Sequence, residues 1–222
     1  MNKYKNVIVG ILVFIIYLFV SSYISEFLVI FGFNKLPVYL KLIISILYDL
    51  LILMTLIFVY LKKFVIDLKD FKKKFKFYFN NYIKFFFLNI GLMMIANILI
   101  SSIVNTSITN QKYVEALLFK YPIYAIISAI IIAPFTEELI FRLNFRNIFK
   151  SNILFIIISG LVFGSMHFMS AKSIQELLYI IPYSIPGCVF AYTLTKSDNI
   201  FVPISLHMLH NTLMIVLQFV IR

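Results

Sequence analysis

The sequence predicts an all-α membrane protein, a polytopic bundle of about seven transmembrane helices with a basic amphipathic connector. Three observations carry that prediction. Of 222 residues, 62% are hydrophobic and only 13% are charged, against about 25% charged in an ordinary globular chain. The mean hydropathy is +0.99, and a chain this apolar could not cover its surface with polar groups in water. The apolar residues also fall in runs near the roughly 20 that cross a bilayer as a helix. Disorder is excluded by the same composition, with 25 Phe and 14 Tyr. Cys188 is the single cysteine, which excludes a disulfide scaffold.

Each run can be justified in order. The first, about residues 7–33, follows Asn2-Lys3-Tyr4-Lys5 and is interrupted only by Glu26. No small-x-small cleavage pattern follows it, and it is too long for a signal h-region, so it reads as a retained span. The second covers about 38–60, with Asp49 at its middle. Residues 61–84 form a connector holding eight lysines interleaved with Phe, Tyr and Leu. The third run is about 85–104, and 105–120 is a polar loop with one short helix. The fourth starts near Tyr121 and carries Glu137, Glu138 and Arg142. The fifth covers about 153–169 and the sixth about 177–195. After a polar turn at 195–199, the seventh runs from about 201 to 221. No internal repeat or low-complexity linker divides the chain. It is read as one bundle in two parts, 1–120 with the connector and 121–222.

Counting bases orients it. With the N-terminus in the cytoplasm, inner segments hold Lys3, Lys5, the eight connector lysines, Arg142, Arg146, Lys150 and Lys196, fourteen in all. Outer segments hold Lys35, Lys41, Lys112, Lys120, Lys172 and Arg222, six in all. The positive-inside bias favours this arrangement. Bases interleaved with aromatics can grip single-stranded nucleic acid. In a chain with this many spans, an amphipathic helix lying on anionic lipid is the simpler reading of the connector, and no nucleic-acid partner is expected.

A charge inside a span costs about 2.5–3.5 kcal/mol on insertion scales, so it faces a cavity or a partner. Asp49 has no evident partner, and a polar contact with Asn97 or a lysine stem is more economical than a functional role. Glu138 and Arg142 are spaced i,i+4 and share a helix face. Glu137 is turned about 100° from Glu138 and cannot share that pairing well. One carboxylate is thus held and the other left free to take and give a proton, as a general base or acid does. Two adjacent buried acids against one base leave a charge uncompensated, which packing alone does not explain. Gly160 and Gly164 make a small-xxx-small face for a close helix neighbour. Phe163 lies one turn before His167, which taken alone reads as packing. Pro203 is tolerated early in a helix, and beyond it His207 and Asn211 face one way, with His210 slightly off that line. No Ser, Thr or Cys presents itself as a nucleophile, and HExxH is absent.

The ordered set EExxxR at Glu137, Glu138 and Arg142, FxxxH at Phe163 and His167, and HxxxN at His207 and Asn211 resembles the CAAX protease and bacteriocin-processing (CPBP, or Abi) family. That family comprises intramembrane endopeptidases related to type II CAAX prenyl proteases. The resemblance covers about residues 131–217 and makes 121–222 the catalytic helix bundle. Leu143 stands where the family often has glycine, and His210 adds an imidazole beside His207. The resemblance implies hydrolysis of a peptide bond, with Glu137 and His167 activating water, His207 and Asn211 stabilising the oxyanion, and Glu138 with Arg142 as the supporting pair. It equally allows a zinc-bound water on Glu137, His167 and His207, a His₂Glu set; no metal is assigned. Counted along the helices, His167 falls deeper from the cytoplasmic side than Glu137 and His207, a mismatch that a projecting or tilted fifth helix would repair.

The expected partner is a peptide or membrane-protein substrate. The alternative is a non-proteolytic immunity protein that keeps the fold and protects its producer from a bacteriocin. A transporter using Asp49 and Glu137 as proton sites would need repeated halves or paired broken helices, which the sequence lacks. Richness in Ile, Phe, Lys and Asn points to a bacterial cell membrane.

Overall fold

The computed structural model describes residues 3–104, 106 and 108–220, without the side chains of residues 3–6, 21, 22, 25 and 26. The expected positions of Lys3, Lys5, Glu26 and Arg222 therefore lie outside the described side chains. Every regular element among the described residues is helical.

Helix α1 (Lys3–Ile30) ends at Gly32, whose φ of 81° is the left-handed conformation that closes helices without a Cβ penalty. Pro37, which cannot continue a preceding helix, introduces α2 (Val38–Val59). Then come α3 (Leu61–Lys73) and α4 (Phe75–Ile103), separated from α2 and from each other by single residues, Tyr60 and Lys74. The expected connector is therefore divided. Only its first half is a separate helix, and residues 75–84 are the opening turns of α4. The reason is that no Gly or Pro interrupts 75–84, so the helix of the span simply extends backward. The short helix expected in 105–120 is α5 (Thr109–Lys120).

The remaining helices are α6 (Pro122–Ile148), α7 (Asn152–Met166), α8 (Ile180–Ser197) with a 3₁₀ turn before it at Ile174–Tyr179, and α9 (Phe201–Val220). Among the described residues, five segments are long and apolar enough to cross a bilayer: α2, α4, α6, the turn with α8, and α9. In α1 the apolar described stretch is Val7–Val20. Helix α7 has 15 residues, about 22 Å of rise, short of the roughly 30 Å hydrocarbon core. The fifth expected span thus stops partway. The chain is a multi-pass membrane helix bundle.

Packing sorts the helices. Half of the apolar stretch of α8 is buried (50%), against 6% for α4. Outward residues of α2 and α4 such as Leu47, Leu51, Met54, Phe87 and Ile98 are exposed, as expected where lipid is the solvent. Helices α6, α8 and α9 are the most buried spans and form the centre, while the polar motifs lie on α6, α7 and α9. Leu139, Ile140 and Phe141 of α6 meet Phe155 of α7, Ala191 of α8 and Ile204 of α9 in the main core. Leu143, the departure from the family pattern, is buried there too. The tightest approach is α7 against α8. A Cβ on Gly160 would lie 2.8 Å from the Cys188 backbone nitrogen, and one on Gly164 2.8 Å from that of Ser184. The small-xxx-small face expected in α7 makes this contact.

Polar side chains tie the outer helices to this centre. Asn144 of α6 accepts from the Tyr60 hydroxyl at 2.7 Å and donates to the Gly10 carbonyl at 3.0 Å. Asp67, within the basic amphipathic connector, is only 3% exposed. It accepts from the Ile200 backbone N–H at 2.9 Å and meets Lys63 at 3.0 Å. Asn199 caps α9 by accepting from the Phe201 N–H at 3.0 Å. Glu176 is also buried, accepting from the backbone N–H groups of Thr109 at 2.8 Å and Lys172 at 3.0 Å. Each acid satisfies orphan backbone donors, a local need that composition does not reveal.

Candidate active site

The site is built on an irregular helix. In α6, an α-helical stretch Ala133–Glu138 lies between two π-helical ones, Ile127–Ile132 and Leu139–Asn144. Pro134 has no N–H to give, so a carbonyl one turn back loses its helical partner. The Ala133 N–H bonds to Ser128 O, and the next candidate donor to Ala129 O is Pro134 itself. Asn211 of α9 fills the vacancy, donating from Nδ2 to Ala129 O at 2.7 Å. Asn211 thereby fixes α9 against α6 and keeps one amide N–H. Single π turns inside α-helices are frequent at functional sites.

Glu138 and Arg142 pair as their spacing predicts. Arg142 Nε lies 2.8 Å from Glu138 Oε2, and its Nη2 donates to Oε1 at 3.1 Å. Both residues are fully buried. The guanidinium also donates from Nη1 to Ser159 Oγ at 2.8 Å, and that hydroxyl donates to the Phe141 carbonyl at 2.6 Å. Its planar face lies over Phe163, 5.0 Å from the ring centre, a cation–π contact that excludes water.

His207 joins the two carboxylates. Its Nδ1 is 3.0 Å from Glu138 Oε1, and its Nε2 is 3.7 Å from Glu137 Oε2. A carboxylate held by Arg142 accepts, so Nδ1 carries the proton and Nε2 is turned to Glu137. Phe190 stacks on the imidazole at 5.0 Å, and Phe163 meets it edge-on at 5.7 Å. Glu138 is thus fully engaged, while Glu137 keeps 22% of its side chain exposed and lines a cavity of about 360 Å³.

His167 sits at the C-terminal end of α7. Its Nδ1 lies 3.0 Å from the Phe163 carbonyl, which can only accept, so its Nε2 is the free nitrogen. Its ring packs between Phe163 at 5.0 Å and Tyr183 at 5.1 Å. Phe163 therefore lies beside both His167 and His207. The imidazole within ion-pair range of Glu137 is that of His207. His210 lies outside this group, its Nδ1 3.0 Å from Asn89 Nδ2. Asp49 forms no hydrogen bond or ion pair with Asn97 or a lysine among the described residues.

A zinc ion on Glu137, His167 and His207 would need three donors converging about 2 Å from one point. Among the described residues, no three His, Cys, Asp or Glu side chains are grouped closely enough to hold a metal. Both histidines have Nδ1 on an oxygen acceptor and Nε2 free, which suits a metal ligand, but the three side chains do not converge on one point. Sequence reasoning missed Ser159 and Phe190, which complete the box around Arg142 and His207. Ser159 was adjacent to the Gly160 motif and carried that signal; Phe190 looked like any apolar residue of α8.

Residues 119–213 match the family model "Type II CAAX prenyl endopeptidase Rce1-like". The Bacillus subtilis (strain 168) protein named "Putative membrane peptidase YdiL" is 32% identical over 100 residues, which cover 44% of this chain and 38% of that relative. No solved structure matches the chain significantly. The matched residues contain all three motifs, so over residues 119–213 the chain is similar to the Rce1-like type II CAAX prenyl endopeptidases, and it spans well under half the length of the curated relative it matches.

Proposed function

We propose that the protein is an intramembrane endopeptidase that hydrolyses a peptide bond in a peptide or membrane-associated protein. The observation that carries this reading is the division of labour between adjacent carboxylates. Glu138 is saturated by Arg142 and His207, whereas Glu137 faces a cavity with His207 Nε2 at 3.7 Å. That separation is too long for a direct bond and is one that a water held by both groups can bridge. In the proposed reaction Glu137 takes a proton from this water as its oxygen attacks the scissile carbonyl carbon. The C–N bond then breaks, and the leaving amine receives the proton from Glu137. His207, held in one tautomer by Glu138, orients the water. The remaining Asn211 N–H is assigned to the developing oxyanion, whereas His167, with its Nδ1–H on the Phe163 carbonyl, presents Nε2 as an acceptor only. The sequence resemblance implied His167 beside Glu137 and His207 on the oxyanion; the 3.7 Å contact is the reason for assigning His207 to the water instead.

The lysine-rich α3 is proposed to lie on anionic lipid at the cytoplasmic face, with the N-terminus on the same side, in a bacterial membrane. The deciding experiment compares peptide termini in membranes carrying the wild-type protein and Glu137→Gln. The variant is expected to insert and fold yet produce none of the wild-type cleavage products; full retention of those products overturns the mechanism. If the protein protects cells from a bacteriocin and Glu137→Gln protects equally well, contact-based immunity replaces proteolysis as its function.

A further inference from the structure

Asp49 takes no part in the chemistry described so far, yet it lines the same cavity as Glu137. The cavity lies between α2, α5 and α6, and its volume of about 360 Å³ is within the range of ligand pockets. Its long wall is a stripe on α6 from Tyr124 to Glu137, kept open by the small side chains of Ala125, Ser128, Ala129 and Ala133. Over thirteen positions this stripe rises roughly 20 Å, a length that an extended peptide covers in about six residues. Opposite it stand Tyr48, Asp49 and Ile52 of α2.

Two features point to a ligand. First, the lining carries two carboxylates, Asp49 and Glu137, and no Lys, Arg or His. Asp49 has no hydrogen-bond or ion-pair partner among the described residues, a costly state inside a membrane bundle unless something else supplies the charge. Second, two residues of the lining carry buried hydroxyls that lack partners. Thr136 is only 8% exposed and its Oγ1 makes no hydrogen bond, and the same holds for the buried Tyr48 hydroxyl. Buried hydroxyls without partners are uncommon in native structures, and these line the passage that leads to Glu137.

We propose that this cavity is a substrate subsite, in which Asp49 selects a basic side chain of the peptide within about six residues of the scissile bond. The apolar walls, Ile52 and Leu117 among them, suit the methylene stem of a lysine, whose ammonium reaches the carboxylate. This assignment rests on the endopeptidase reading and identifies what that enzyme would prefer to bind.

The test uses the full-length protein in lipid nanodiscs and a series of apolar peptides bearing a photoreactive diazirine. Each contains one lysine, moved stepwise along the peptide, with a norleucine counterpart. Binding is read as cross-linking yield, and cleavage is read separately on the same peptides. The wild type is expected to favour one lysine register over its norleucine counterpart by about tenfold, the scale of one hydrogen bond to a charged group. Asp49→Asn is expected to bring that ratio near one, and Asp49→Glu to restore most of it. An unchanged ratio in Asp49→Asn, or no lysine preference in the wild type, overturns the subsite. Binding with lysine preference but no cleavage keeps the subsite and sinks the endopeptidase reading; cleavage without lysine preference does the reverse.

Discussion

Arg142 shows how one side chain is made indispensable without being reactive. Its guanidinium meets Glu138, Ser159 and the Phe163 ring while fully buried. A buried ion pair is a weak source of net stability, but removing one partner strands the other's charge. Arg142→Gln should therefore destabilise the protein by about 3–5 kcal/mol, and the Glu138→Gln, Arg142→Gln double variant by clearly less than the sum of the singles. Equilibrium unfolding of the four proteins in one detergent measures the coupling. The Glu138–Arg142 pair was legible in the sequence, because i,i+4 spacing on a helix dictates proximity. The contact of His207 with both carboxylates was not, since residues 69 positions apart share no local rule.

Among the elements, α7 depends on its glycines. Gly160→Ala would place a methyl 2.8 Å from backbone of α8, and overpacking of this kind costs about 1–3 kcal/mol. Its melting temperature should fall, and His167 at the end of α7 should lose its place beside Phe163, so cleavage should fall further than stability alone explains. Activity assayed well below the melting temperature separates the two effects.

Helix α3 offers a pH-dependent counterpart. Hydrogen bonds from Lys74 and Tyr78 pull the Asp70 carboxyl down to about 2, whereas burial raises that of Asp67. A carboxylate with a lowered folded value contributes stability above its ordinary range near pH 4 and loses it as pH falls toward 2. Asp67 works in the opposite direction, relieving a penalty as it protonates. Thermal stability should thus drop between about pH 4 and pH 2 more steeply in the wild type than in Asp70→Asn, as followed by circular dichroism in acid-stable detergent. The sequence places both aspartates in one amphipathic connector and cannot show that the start of α9 docks on α3, where the Ile200 N–H is capped by Asp67.

For the whole molecule, the proposed orientation has a direct check. Cysteines introduced at Lys72 in α3 and Lys112 in α5, with Cys188→Ala as background, should label from opposite sides of the membrane. Lys72→Cys should react with an impermeant maleimide in inverted vesicles and not in intact cells, and Lys112→Cys the reverse. Labelling of both from one side would remove the positive-inside assignment.

What the sequence determined by itself follows from rules local to the chain. Apolar runs near bilayer length made a membrane helix bundle, scarce charges inside those runs marked Glu137, Glu138 and Arg142, and the order of three motifs carried the resemblance to the CAAX protease family. Tertiary structure alone decided which imidazole meets Glu137, that α7 stops short, that Asn211 replaces the hydrogen bond lost at Pro134, and that Asp49 opens onto the cavity of Glu137. Each of these depends on how helices distant in sequence are rotated and stacked. In a bilayer that is settled by close packing and by the need of every buried polar group for a partner.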